Sequence, residues 1–318
     1  MKLTNEQIKA VTFGAVDIKE TQDGLQFYKC TEKQRKAWWA LSKTLGERAE
    51  MTTPGVRLDF HTDSKRFTFE AKGVFEVYIN DLFRVKFDFA EGGTGTVELC
   101  DPLGDPLCDA RVTLIFPSHF IGGVLKAVSL DDGAYIKPHV FDKKILFVGD
   151  SITQGWDSGY DSLSYAWRVM RFFNADAVVH GVGGGYFHRT VFDSINFDPD
   201  VVILALGTND FGKYPTTDAM REETAAFMDQ LAQEYKGKTL FCISPIWRLG
   251  QEKSMGHFRD CRQVVIDEAT KRGFIHINGL DLVPPDPTFF ADPSPLHPNA
   301  LGFGIYAENL IREMQKYL

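Results

Sequence analysis

The sequence predicts an α/β chain in two parts. An N-terminal antiparallel β-sandwich, jelly-roll-like, is expected over residues 1–140, and a C-terminal three-layer α/β/α unit on a parallel sheet over residues 141–318. Three observations predict it. Short segments that alternate polar with apolar or β-branched residues fill the first part, which is the period of half-buried strands. Beyond Lys143 the strand-like runs become almost wholly apolar and alternate with helical periodicity, as in a parallel sheet covered on both faces. Between the two, Lys137–Asp142 carries a Pro and no helical pattern, which suits a boundary.

In the first part the candidate strands are Arg57–Phe60, Arg66–Ala71, Phe75–Ile79, Arg84–Phe89, Thr96–Leu99 and Arg111–Phe116. Turn formers separate them, among them Asn80-Asp81, Gly92-Gly93 and Asp101-Pro102. Lys33–Leu45, with Trp38 and Trp39, reads as a helix or a loop. In the second part the apolar runs are Ile145–Val148, Ala177–Val179, Val201–Leu206, Thr239–Ile243 and Phe274–Ile277. Helical periodicity falls on Asp218–Tyr235, His257–Arg272 and Ala300–Tyr317, and Gly237 and Gly273 stand where helix stops are expected.

Composition excludes several function classes. A net charge of -8 lacks the basic footprint of a nucleic-acid binder. No apolar run is long enough to span a membrane, and the first residues lack the apolar core of a signal peptide, so the expected location is cytoplasmic. The cysteines at 30, 100, 108, 242 and 261 are odd in number and form no CxxC pair, which argues against a disulfide framework or a zinc site. Cys242 and Cys261 lie in apolar patterns and read as small buried hydrophobes. No GxxxxGK[ST] segment exists, and no metal or nucleotide cofactor is expected. Nothing in the pattern sets an oligomeric state.

Four loops carry the candidate chemistry. The run Gly149-Asp150-Ser151 follows the first apolar strand directly, and ligands of open parallel sheets bind beyond the carboxyl ends of strands. A Ser there can be a nucleophile or simply cap a helix. Gly181-Val182-Gly183-Gly184-Gly185 follows the second strand and lets backbone N–H groups approach a ligand. Gly207-Thr208-Asn209-Asp210 follows the third, where the Asn amide can donate to an oxyanion or close an Asx turn. His297, in Asp292-Pro-Ser-Pro-Leu-His297-Pro298-Asn299, stands in a Pro-bounded loop before the last helix, a place suited to a general base. Taken together, a hydroxyl, an imidazole and amide donors at one edge of one sheet are the set that acyl transfer requires.

These residues resemble the SGNH (GDSL-type) hydrolase family. Gly149-Asp150-Ser151 is similar to its first block, Gly184 falls at its oxyanion Gly, Asn209 matches its oxyanion Asn, and His297 in His297-Pro298-Asn299 matches its base. The resemblance runs from about Ile145 to Ala307 and implies a flavodoxin-like α/β/α catalytic unit. The preceding β-rich region resembles the N-terminal sandwich of two-domain bacterial members, including carbohydrate esterases. Two departures stand out. Where the family usually has an Asp three residues before the His, this chain has Ser294. Asp292 lies five before and is the favoured orienting acid, with a Ser–His dyad as the alternative. Val179 stands where the glycine block often opens with Asn.

The resemblance implies an ester hydrolase with Ser151 as nucleophile, His297 as base, and the Ser151 N–H, Gly184 N–H and Asn209 amide as oxyanion donors. Trp156, Tyr186, Phe187, Phe211, Trp247 and Arg248 are expected to line the pocket, because they lie in loops after strand ends. Their aromatic rings suit sugar faces or short acyl chains. The expected substrate is therefore a short-acyl ester, acetyl in particular, of a carbohydrate or small metabolite. A thioesterase, a lysophospholipase-like acylhydrolase and a non-catalytic carbohydrate-binding protein are the competing readings.

Overall fold

The computed structural model describes residues 1–119, 122–291 and 295–318. Its first part is one curled antiparallel sheet of nine strands. These are β1 (Thr12–Phe13), β2 (Asp17–Thr21), β3 (Gly24–Tyr28), β4 (Arg57–Thr62), β5 (Arg66–Ile79), β6 (Leu82–Glu98), β7 (Ala110–Ile115), β8 (Val124–Leu130) and β9 (Lys137–Pro138). The long strand β5 makes the curl. Phe67–Lys72 pairs with β8, Glu76–Ile79 pairs with β7, and nearly the whole strand pairs with β6. One strand thus serves both halves of the sheet, which folds over a core of Phe27, Phe60, Phe67, Phe69, Phe75 and Phe116. Edge-to-face ring pairs at 4.7–5.8 Å run through that core, which accounts for much of the Phe content.

Two details of this half differ from the sequence expectation. The segments 66–71 and 75–79 are one strand, as are 84–89 and 96–99. The glycines at 73 and 92–93 lie at a register shift between β5 and β6, where the hairpin bends without ending. The segment at Lys33–Leu45 is neither one helix nor a loop. It holds α2 (Glu32–Leu41) and the start of α3 (Lys43–Met51), each opened by a Thr or Ser whose side chain accepts a backbone N–H. A short helix α1 (Asn5–Ala10) precedes them, with a Thr4–Gln7 capping box.

The second part is a five-stranded parallel sheet of β10 (Lys143–Gly149), β11 (Ala175–Gly181), β12 (Val201–Ala205), β13 (Thr239–Ile243) and β16 (Ile275–Ile277), in the order β11-β10-β12-β13-β16. The intervening β14 (Glu252–Lys253) and β15 (Gly256–His257) form a separate small hairpin. The sheet is buried on both faces. Ile145 and Phe147 face α5 (Tyr165–Phe172) and α9 (Ala300–Met314). Leu146 and Val148 face α7 (Thr217–Glu234) and α8 (Phe258–Lys271). Strand β10 has a neighbour on either side reached by opposite crossovers, so a crevice opens at its carboxyl end.

The two parts are locked together. Trp38, Leu45 and Ala49 of α2 and α3 join the core on the α7 and α8 face. Arg57 of β4 is fully buried, 3.5 Å from Asp59 and 3.5 Å from Asp176, with its guanidinium over the rings of Phe141 and Trp167. All five cysteines are free thiols, and Cys242 and Cys261 are buried. No helix among the described residues is long and apolar enough to cross a membrane.

Candidate active site

Strand β10 ends at Gly149 and runs straight into α4 (Ser151–Gln154), a single helical turn capped by the Asp150 carboxylate, which accepts the Ile152 N–H at 2.9 Å. Gly149 is required by close approach: a Cβ there would overlap the Thr153 side chain and the Ala205 carbonyl. The turn stops at Gly155, in the left-handed region at φ 94°. The loop that follows carries Trp156 and Asp157. Asp157 is itself left-handed, at φ 66°, a conformation Asp tolerates better than most residues.

His297 arrives on the loop before α9. Phe290 and Pro298 form a β-bridge, the Ala291 N–H donates to the His297 carbonyl at 2.9 Å, and Leu249 N–H donates to the Pro295 carbonyl at 3.1 Å. Asn299 caps α9, accepting the Leu301 and Gly302 N–H groups, while its amide donates to the Thr288 carbonyl at 2.8 Å. The imidazole so held has its Nε2 2.8 Å from Ser151 Oγ and its Nδ1 2.8 Å from Asp157 Oδ2. A hydroxyl, an imidazole and a carboxylate are thus joined in one hydrogen-bonded line. Burial pushes the His297 proton affinity below its ordinary value, and the Asp157 carboxylate pulls the other way.

The glycine loop and the Asn209 loop meet the same turn. Gly183 N–H donates to Gln154 Oε1 at 2.7 Å and Val182 N–H to the Gly149 carbonyl at 3.1 Å, so the glycine loop is tied to the turn that holds Ser151. Gly184 takes φ 80°, which a side chain would strain. Asn209 Nδ2 donates to the Gly185 carbonyl at 2.9 Å and lies 3.4 Å from Asp150 Oδ2. The second contact is long, so an oxyanion can compete for that hydrogen. Asp150 is buried, and loss of solvent raises its carboxyl to about 7. Asp210 beside Asn209 opens the short helix α6 (Asp210–Lys213); it is also buried, its carboxyl raised well above the usual range, and it accepts the Phe187 N–H at 3.0 Å.

The expected pocket residues part company. Trp156 lies against His297, ring centroids 5.9 Å apart. Phe187 and Phe211 have no exposure: Phe187 packs on Phe227 and Phe211 on Phe258, both in the core, and neither lines a cleft. Tyr186 is also buried, edge-on to Tyr214. Their loops do sit at strand ends, but these side chains turn inward to cover apolar surface. Trp247 packs on Phe290 and steadies the His297 loop. Arg248 donates to the Thr208 carbonyl at 2.9 Å and braces the Asn209 loop from behind. Asp292 lies outside the described residues; the carboxylate on His297 Nδ1 is Asp157, which sequence reasoning missed.

The remaining wall comes from the first part of the chain. Arg48 of α3 donates to the Gly183 carbonyl at 2.8 Å, and its guanidinium lies over the Trp156 ring at 4.9 Å. His119 also lies against Trp156, centroids 5.8 Å apart, with Nδ1 3.1 Å from Asp161 Oδ1. Gln154 Nε2 donates to the Ser118 carbonyl, so the Ser151 turn also touches this wall. Neither Arg48 nor His119 has a sequence pattern that marks it.

No curated protein matches the chain in sequence. Among solved structures, the salicylyl-acyltransferase SsfX3 of a tetracycline biosynthetic pathway superposes with a TM-score of 0.81 at 19% identity, covering 96% of this chain and 94% of that one. A candidate GDSL-like lipase from Bacteroides ovatus superposes with a TM-score of 0.75 at 16% identity, covering 99% and 97%. A family two carbohydrate esterase from Clostridium thermocellum, in complex with cellohexaose, gives 0.66 at 17% identity, covering 96% and 98%. The likeness spans both parts of the fold. The profile of the GDSL-like Lipase/Acylhydrolase family matches residues 147–305, half of the chain, and the chain belongs to that family.

Proposed function

We propose that the protein is a serine ester hydrolase acting through an acyl-enzyme on Ser151. The observation that carries this reading is the line Ser151 Oγ–His297–Asp157, with both contacts at 2.8 Å. His297 Nε2 takes the hydroxyl proton as Ser151 attacks the ester carbonyl. The Ser151 and Gly184 N–H groups and the Asn209 amide receive the oxyanion. The imidazolium, held by Asp157, returns the proton to the leaving alcohol. Water then releases the acyl group by the same route.

The substrate we favour is a short-acyl ester, acetyl above all, of a carbohydrate or small metabolite. The half-buried Trp156 beside His297 supports it, as does the two-part fold shared with a cellohexaose-bound carbohydrate esterase. Five free thiols support a reducing, cytoplasmic setting. The test is a panel of p-nitrophenyl esters of rising chain length, acetylated sugars and an acyl-thioester, run with wild type and Ser151→Ala. Hydrolysis of acetyl esters by wild type alone is the expected result. Full activity in Ser151→Ala would sink the assignment, and preference for long acyl chains or thioesters would move the substrate to one of the rival classes.

A second reading is acyl transfer from Ser151 to an alcohol instead of water, favoured by the superposition on an acyltransferase. Product analysis with added alcohol acceptors separates the two.

A further inference from the structure

The wall that the first part of the chain contributes to the site presents a guanidinium, that of Arg48, whose outer edge has no acceptor among the described residues. Arg48 makes one side-chain hydrogen bond among the described residues, to the Gly183 carbonyl, and no ion pair. The remaining N–H groups of its fork have no acceptor among the described residues. A Cβ at Gly184 would stand 3.1 Å from Arg48 Nη1, so the guanidinium lies against the Gly184 backbone. Trp156, the ring beneath the guanidinium, has a buried Nε1–H without a partner among the described residues. His119, also against that ring, has its Nδ1 engaged by Asp161 and Ser118, which leaves the Nε2 of a neutral imidazole an acceptor. Of the nearby carboxylates, Asp157 is held by His297 and Asp161 by His119 and Ser118. Arg48 also opposes a positive charge on His297.

A planar guanidinium stacked on an aromatic ring, with one edge on a backbone carbonyl, is pre-oriented for a two-oxygen acceptor at its other edge. A neutral acetyl ester would leave that edge unmet. We propose that Arg48, held flat on the Trp156 ring, forms a carboxylate subsite beside Ser151, and that the favoured substrate is an ester bearing a carboxylate within a few ångströms of its scissile carbonyl. The proposal rests on the hydrolase reading above and narrows its substrate class. Arg48 acts as a specificity residue: it pairs with the carboxylate and takes no proton.

The carboxylate can belong to the acyl part or to the alcohol part, and matched esters distinguish the two. The acyl arm compares p-nitrophenyl hemisuccinate with p-nitrophenyl butyrate. The alcohol arm compares O-acetyllactate with its methyl ester. The readout in each arm is the ratio of kcat/KM for the anionic over the neutral ester, which is independent of any general loss when Arg48 releases the Gly183 carbonyl. In wild type one arm is expected to give a ratio of about 10 to 100, the worth of one charge-assisted pair. That ratio should fall toward 1 in Arg48→Gln, recover in part in Arg48→Lys, and shrink as salt is raised. A wild-type ratio of 1 or below in both arms overturns the proposal and leaves the hydrolase reading standing. So does an Arg48→Gln variant that slows both esters equally, since that marks Arg48 as a support of the oxyanion loop only. If wild type cleaves none of the four esters, the hydrolase reading falls and takes this one with it.

Discussion

Asp157 Oδ2 lies 2.8 Å from His297 Nδ1, and Asp157 stands on the loop that follows the Ser151 turn, six positions further along the chain. An imidazole with Nδ1–H held by a carboxylate presents the bare Nε2 to the serine, which fixes both tautomer and orientation.

Asp157→Asn should therefore lower kcat by about 10²–10⁴-fold with a much smaller effect on KM, because the amide can hold the wrong tautomer. Asp292→Asn should stay within a few-fold of wild type, since Nδ1 has one hydrogen to give and Asp157 receives it. Steady-state kinetics on one p-nitrophenyl ester compares them. Equal losses in the two variants would return the orienting role to Asp292.

Asn209→Ala should cost about 10²–10³-fold in kcat, the usual worth of one oxyanion donor. The amide also holds the Gly185 carbonyl, so its loss loosens the glycine loop as well. Labelling by a fluorophosphonate probe should slow alongside turnover, because the probe's tetrahedral phosphonyl oxygen uses the same donors. Undiminished labelling would remove Asn209 from the set.

The acid limb of the pH profile should lie low. Only neutral His297 can take the serine proton, so kcat/KM falls as pH drops through the His297 pKa. Burial puts that pKa below the ordinary 6.5, so the limb should have its midpoint below 6.5. Asp157→Asn removes a group that raises it, and the limb should move further toward acid even as the plateau drops. A wild-type midpoint above 6.5 would contradict the burial of this imidazole.

Asp150 offers a stability test independent of turnover. Its folded-state pKa is raised from 3.8 to about 7, so the folded chain holds a proton there that the unfolded chain has released. That contribution is complete below pH 3.8 and is lost as pH rises through about 7. Asn caps a helix as well as Asp does and needs no proton. Asp150→Asn should therefore gain on wild type in thermal unfolding between these pH values, by at most about 4 kcal/mol at about 1.4 kcal/mol per unit. A Tm difference that does not change with pH would mean the carboxyl is not held neutral.

Much of this architecture can be read from residue pattern because burial writes it there. A strand with both faces covered has to be apolar throughout, and β10, β11, β12 and β13 show it. Ser151, Gly184, Asn209 and His297 stand out because each interrupts such a pattern at a strand end or before a helix with a residue that packing alone does not require. Asp157 carries no such mark. It comes into line because Gly155 ends α4 after one turn and Asp157 itself turns left-handed, and both are properties of the backbone. Arg48 and His119 depend on how the curled sheet and α3 dock, which no local window contains. Phe187 and Phe211 show the converse: they sit in the right loops, but their side chains complete the core on the α7 and α8 face.

Gln154 touches two neighbours at once. Its Oε1 receives Gly183 N–H, and its Nε2 reaches the carbonyl of Ser118. One side chain is thus a strut between the glycine loop and the curled sheet, anchored in the turn that holds Ser151. Displacement of the sheet, by a crowding partner or a loosened edge, would pull on the strut and so on both the glycine loop and the turn that holds Ser151. The front half of the protein is in that sense a tensioning frame for the reactive centre, and a fragment lacking it would carry every reacting group and yet hold them slack.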